Sequence, residues 1–90
     1  MTTAIVNGNT IKNMDDFHDQ ISKALPFPDY YGRNFSALWD VLSRDIEGPY
    51  EIIWKNHKRS EEVLGKDFVT LKEILKDLTD LWDDVKVTYD

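Results

Sequence analysis

Three short runs rich in β-branched and aromatic residues, Ala4–Val6, Tyr50–Trp54 and Val85–Tyr89, are each separated by two helix-patterned segments. That order constrains the fold more than any other feature of the chain. Strands linked through helical crossovers pair in parallel, since antiparallel neighbours need only a tight turn, and such crossovers run right-handed. The reading predicts an α/β fold: a three-stranded parallel sheet packed against four main helices, in a single domain spanning residues 1–90. With so few strands, part of the sheet is expected to stay uncovered.

The punctuation between these runs is legible. Asn7-Gly8 is a turn signal that ends the first strand. Asn13 is placed to cap a first helix whose opening turn holds Asp15 and Asp16, where negative charge is favoured. Met14, Phe17, Ile21 and Leu25 recur at helical spacing and form its buried face, and Pro26 and Pro28 forbid continuation. A second helix is predicted from Asn34 to about Asp45, stopped before Gly48-Pro49, a bond whose isomer the sequence leaves open. His57 to Leu64 reads as a short third helix ended by Gly65. Asp67 is expected to cap the fourth helix, with Phe68, Leu71, Leu75, Leu78 and Trp82 as its apolar stripe.

Ninety residues with 41% apolar content support one core. Seventeen acidic against eleven basic residues leave a formal net charge of -6. That balance disfavours nucleic acid as a ligand and favours fast association with a basic protein. The chain has no cysteine, so disulfides and thiolate metal sites are excluded. Its apolar runs are too short to span a membrane, and its first residues lack a signal peptide's pattern, so a cytoplasmic protein, monomeric when free, is the expectation.

Helical geometry sorts the second helix. At about 100° per residue, Phe35, Leu38, Leu42 and Ile46 point to the core, while Ser36, Asp40 and Ser43 share another side. Trp39 lies on the border between them. Asp40 is therefore expected to be exposed beside a large aromatic, close behind Tyr30, Tyr31 and Gly32. Tyrosines next to a turn make good interface anchors, although they can equally pack over a helix end. On the fourth helix Glu73, Asp77, Asp80 and Asp84 fall within about 60° of one another, opposite the apolar stripe. Such a ridge is either simply solvated or continuous with the Asp40 surface.

Chemistry is harder to find. His18 and His57 are the only histidines, and neither has the serine, carboxylate or metal-ligand spacing of a catalytic site. Gly32 and Gly48 are isolated, so no phosphate-cradling loop is present. Carboxylates are plentiful, but no pair stands out for acid–base work. The residues favour a binding protein with no catalytic residues, metal or cofactor.

The run Tyr30-Tyr31-Gly32-x-Asn34-x-x-Ala37-Leu38-Trp39-Asp40 resembles the signature of barstar-type ribonuclease inhibitors, and the likeness extends over essentially the whole chain. The resemblance implies a three-stranded parallel sheet with four main helices, and a basic ribonuclease or nuclease toxin as the partner. It implies that the second helix and its preceding loop plug the enzyme's active site. Asp40 then stands in for a substrate phosphate and Tyr30 stacks near the catalytic histidine. Trp39 and Asn34 border the contact, and Asp77 brings a second carboxylate. This chain departs from the pattern in having Ser36 where an acidic residue is usual, Arg33 and Arg44 near the interface, and Asp45 in place of an aromatic. Those changes point to a related inhibitor tuned to a different nuclease; the alternative is an acidic interaction module for a non-nuclease basic partner.

Overall fold

A computed structural model describes all residues from Met1 to Asp90. The elements run β1 (Thr2–Asn7), α1 (Met14–Ala24), α2 (Phe35–Asp40), β2 (Tyr50–Lys55), α3 (His57–Leu64), α4 (Lys66–Leu81) and β3 (Val85–Tyr89), with a 3-10 turn at Gly8–Thr10 and a π-helical turn at Val41–Asp45. The strands form one parallel sheet in the order β1-β2-β3. The expected α/β architecture is therefore present. No helix is long and apolar enough to cross a membrane.

Strand order explains where the core lies. When parallel strands are added in one direction, crossovers of the same hand land on the same side of the sheet. The register aligns Thr2, Tyr50 and Val85 in one row, Ala4, Ile52 and Val87 in the next, and Val6, Trp54 and Tyr89 in a third. Ala4, Val6, Tyr50, Ile52, Trp54 and Val85 are buried. The intervening residues face away from that core: Thr3, Lys86 and Thr88 are exposed, and Ile5 is 53% exposed. The uncovered face expected from the strand count is real.

Trp54 joins the layers. Its ring stacks on Phe17 of α1 at 5.1 Å and meets Phe68 of α4 edge-on at 5.2 Å. Its indole N–H donates to Ser60 Oγ of α3 at 2.9 Å. Ser60 is fully buried, so the pair satisfies two polar groups that would otherwise be stranded in the core. The turn after β1 also closes tightly on α3. A side-chain carbon at Gly8 would stand 2.2 Å from the Asn56 carbonyl oxygen, so only glycine permits that approach.

Helix α1 begins and ends as its sequence predicts. Asn13 Oδ1 accepts the Asp16 N–H at 2.9 Å, and Leu25 is the C-cap before Pro26. The second helix differs from expectation. Regular α geometry stops at Asp40, and a π turn carries the chain on to Asp45, closed by Ile46 N–H donating to Val41 O at 3.0 Å. The wider turn needs outside partners for its carbonyls. Tyr50 donates its hydroxyl to Leu42 O at 3.0 Å, and Trp82 donates its indole N–H to Ser43 O at 3.0 Å.

Three expectations for the fourth helix are corrected. Gly65, with φ 57° and ψ -120°, occupies the N-cap position; Asp67 lies inside the first turn, where it still complements the helix dipole. The helix ends at Leu81, so Trp82 leaves the apolar stripe, is 46% exposed and serves the π turn instead. Asp84 also lies beyond the helix, with its carboxylate packed over Gly48, and is not part of the acidic ridge. The Gly48–Pro49 bond is cis.

Replacing Ser60 with alanine leaves the Trp54 indole N–H buried without an acceptor. We expect Ser60→Ala to destabilise the fold by about 1–3 kcal/mol, read by urea denaturation. An unchanged midpoint would show that the bond contributes nothing.

Candidate partner-binding surface

The segment between α1 and α2 is shaped by what lies under it. Pro26 and Pro28 stop α1 and extend the chain. Tyr31 N–H then donates to Pro28 O at 3.1 Å. The Tyr31 ring wedges edge-on against Phe27 at 4.8 Å and against His18 at 5.5 Å. A hydrogen bond joins its Oη to His18 Nδ1 at 2.6 Å. The adjacent tyrosines thus have opposite fates: Tyr31 is half-buried, while Tyr30 is 81% exposed.

Two ionisable groups in this contact are displaced from their ordinary values. Burial pushes the Tyr31 hydroxyl up to about 12, with the Arg33 charge opposing, so it stays protonated at neutral pH. Burial, assisted by Arg33, lowers the His18 imidazole below its usual value, against the opposing pull of Asp15 and Asp19. His18 is buried, and nothing about its sequence spacing had marked it as a neighbour of Tyr31.

After Gly32, Arg33 takes the left-handed conformation at φ 55° and turns its side chain back onto α1. Its Nη1 donates to Asp19 Oδ1 at 2.9 Å and its Nη2 to Asp15 O at 3.0 Å, with Asp15 Oδ1 at 3.7 Å. Exposed ion pairs of this kind are worth little in stability, typically ~0–1 kcal/mol. They do cancel a positive charge that the sequence placed beside the surface. Asn34 follows as the α2 N-cap, its Oδ1 accepting the Ala37 N–H at 2.7 Å. Gly32 sits close to that cap: an added side-chain carbon would stand 3.3 Å from Ala37 Cβ.

On α2, Leu38 is buried, Trp39 is half-buried against the core, and Ser36 and Asp40 are exposed. Ser43 does not join them. The π turn breaks the 100° rotation on which its placement relied, and Ser43 is 7% exposed, donating its hydroxyl to Trp39 O at 2.6 Å. Asp40 is held by Arg44 one turn on, Oδ1 to Nη2 at 3.1 Å, with both side chains open to solvent. Helix α4 packs against α2. It carries Glu73, Asp77 and Asp80 exposed, Asp80 being paired with Lys76 at 3.0 Å. Of the candidate residues, Tyr30, Gly32, Asn34, Ser36 and Asp40 are exposed, Tyr31 and Trp39 are half-buried, and Asp77 is exposed on the neighbouring helix.

Comparison with known proteins supplies the family. A family model described as "Barstar (barnase inhibitor)" matches residues 1–90. This chain belongs to the barstar family. A relative from Bacillus subtilis (strain 168), named "Putative ribonuclease inhibitor YrdF", is 34% identical over 88 residues, covering 97% of each chain. Within this barstar-family fold, the loop and helix singled out by sequence form a continuous stretch. Its shape rests on three contacts that spacing does not reveal: His18 with Tyr31, Arg33 with Asp19, and Trp82 with Ser43.

The short α2 depends on its cap. Asn34→Ala should cost about 1 kcal/mol, lowering the melting temperature by roughly 5 °C, while Asn34→Ser keeps most of the stability. Thermal unfolding followed by circular dichroism decides the point, and equal melting of both variants would rule the cap out.

Proposed function

We propose that this chain is a protein inhibitor of a basic ribonuclease, of guanyl-specific or related nuclease-toxin type, acting by occlusion. The observation that carries the reading is the exposed Asp40 carboxylate beside Trp39, behind the Tyr30–Asn34 segment, in a chain of the barstar family. An active site that binds RNA phosphate concentrates positive charge, and an outward carboxylate on a rigid helix can occupy that position without reacting. Tyr30 supplies an exposed ring at little entropic cost. Asp77, from the adjoining helix, would add a second carboxylate. Such an inhibitor needs no covalent step, and in the cytoplasm it would protect the cell that makes it.

Arg44 shapes the specificity. Its guanidinium already engages Asp40 at 3.1 Å, so a basic enzyme must displace it or offer it an acid of its own. The pair is exposed, so the displacement is cheap. The residual positive charge nevertheless disfavours partners lacking an acidic complement.

The test is inhibition of a panel of basic guanyl-specific ribonucleases, with co-expression scored by cell survival. Stoichiometric inhibition of at least one enzyme is expected. Asp40→Ala should weaken that complex by roughly 2–5 kcal/mol, the cost of stranding a desolvated charge partner. A loss below about 0.5 kcal/mol would remove Asp40 from the centre of the contact. Added salt should slow association far more than it speeds dissociation; stopped-flow rates indifferent to salt would contradict electrostatic steering by the net charge of -6.

A further inference from the structure

We propose that His18 is the positioning residue of the partner-binding segment: from beneath the surface it holds Tyr31, and through Tyr31 the shape of Tyr30–Asn34, in a way that acid releases. Three observations carry this. His18 is only 3% exposed, yet it projects from α1 towards a segment more than ten residues away in sequence. Its 2.6 Å contact with Tyr31 Oη is the one side-chain hydrogen bond Tyr31 makes. Arg33, two residues later, fastens the same segment to the same helix through Asp19 and Asp15.

The chemistry makes this hold sensitive to protonation. A neutral imidazole offers one acceptor nitrogen, and the protonated Tyr31 hydroxyl is a donor; an imidazolium has two donors and no acceptor. Nδ1 can accept from that hydroxyl only while the ring is neutral; once protonated, the ring can only donate to Tyr31 Oη, so the contact must reverse, and a cation is placed in a buried site. The groups facing it are Arg33 from the loop, which repels that cation, and Asp15 and Asp19 of α1, which attract it. Asp67 of α4 lines the same cavity of about 200 Å³, together with Met14, Asn34 and Phe35. Burial is the largest of these influences and the balance lowers the His18 value. A group whose folded value lies below its unfolded one binds more protons when released. The ordered segment is thus fully stable above about pH 6.5 and loses stability as pH falls below it, until the folded value is passed.

The closing experiment measures hydrogen-exchange protection on the whole chain at pH 7.5 and 5.5, corrected for intrinsic exchange. The reporters are the Tyr31 and Ala37 amides, bonded to Pro28 O and Asn34 Oδ1. The control is the Trp82 amide, bonded to Leu78 O at the end of α4. Protection of the two reporters should fall at the lower pH by up to about tenfold, the limit for one group of ordinary pKa 6.5 that opening exposes. His18→Gln, which keeps an amide acceptor but does not titrate, should abolish that pH dependence. Tyr31→Phe should lower protection at both pH values. The idea is overturned if the reporters keep their protection at pH 5.5, if His18→Gln shows the same pH dependence, or if Trp82 loses protection equally.

The consequence for binding rests on the inhibitor reading. With barnase as the probe, His18→Ala should weaken the complex about fivefold, because the segment must be ordered on docking, and His18→Gln should restore most of it. Wild-type affinity in His18→Ala would overturn the positioning role. Absence of barnase binding by the wild-type chain would count only against barnase as the target, while the exchange measurements, which need no ribonuclease, still decide the positioning role.

Discussion

The structure depends on the burial of Trp54 near the C-terminal end of the middle strand. Its ring lies between Phe17 of α1 and Phe68 of α4, its N–H is taken by Ser60 of α3, and Tyr89 of β3 stacks at 6.4 Å. One side chain thus ties both crossovers to the sheet. A large aromatic contributes its full burial only if its polar atom is also satisfied. That requirement explains a serine, not an alanine, inside α3. Without this convergence the third helix, which carries little apolar surface of its own, would have weak reason to dock.

The same one-sided layering determines which side of α2 stays exposed. Both crossovers lie over one face, so α2 stands near the edge of the helical layer with one side free. Its free side presents Asp40 and Ser36, while Leu38 holds it to the core. The π turn that ends it is anchored from two directions, by Tyr50 in the sheet and Trp82 after α4. A six-residue helix would be marginal alone; here its cap, its core face and its anchored end keep it in place.

Much of this was legible beforehand. The strands, the α1 stripe and the cap at Asn13 are local patterns, decided by residues within one or two turns of each other, and they stand where the sequence puts them. The resemblance implied that Tyr30, Asn34, Trp39 and Asp40 lie on one loop and helix, and the structure keeps them contiguous. The misreadings share a cause. Ser43 was placed by extrapolating a 100° rotation across a turn that widens, and Asp84 and Trp82 were placed on a helix that had already ended. A helical wheel has no means of sensing that distant groups are available to donate to freed carbonyls.

By itself, then, the amino-acid sequence determined the order of strands and helices, the parallel sheet, the acidic balance and the loop-helix stretch bearing Tyr30 and Asp40. Each follows from short-range propensity or from chain connectivity. Only the tertiary structure decided that Tyr31 faces inward to His18, that Arg33 spends its charge on Asp15 and Asp19, and that Ser43 is buried beneath Trp82. Those outcomes hinge on pairs thirteen to thirty-nine positions apart. Their physical reason is that a buried polar group takes whichever partner the packed layers bring within reach, and reach exists only once the chain has folded.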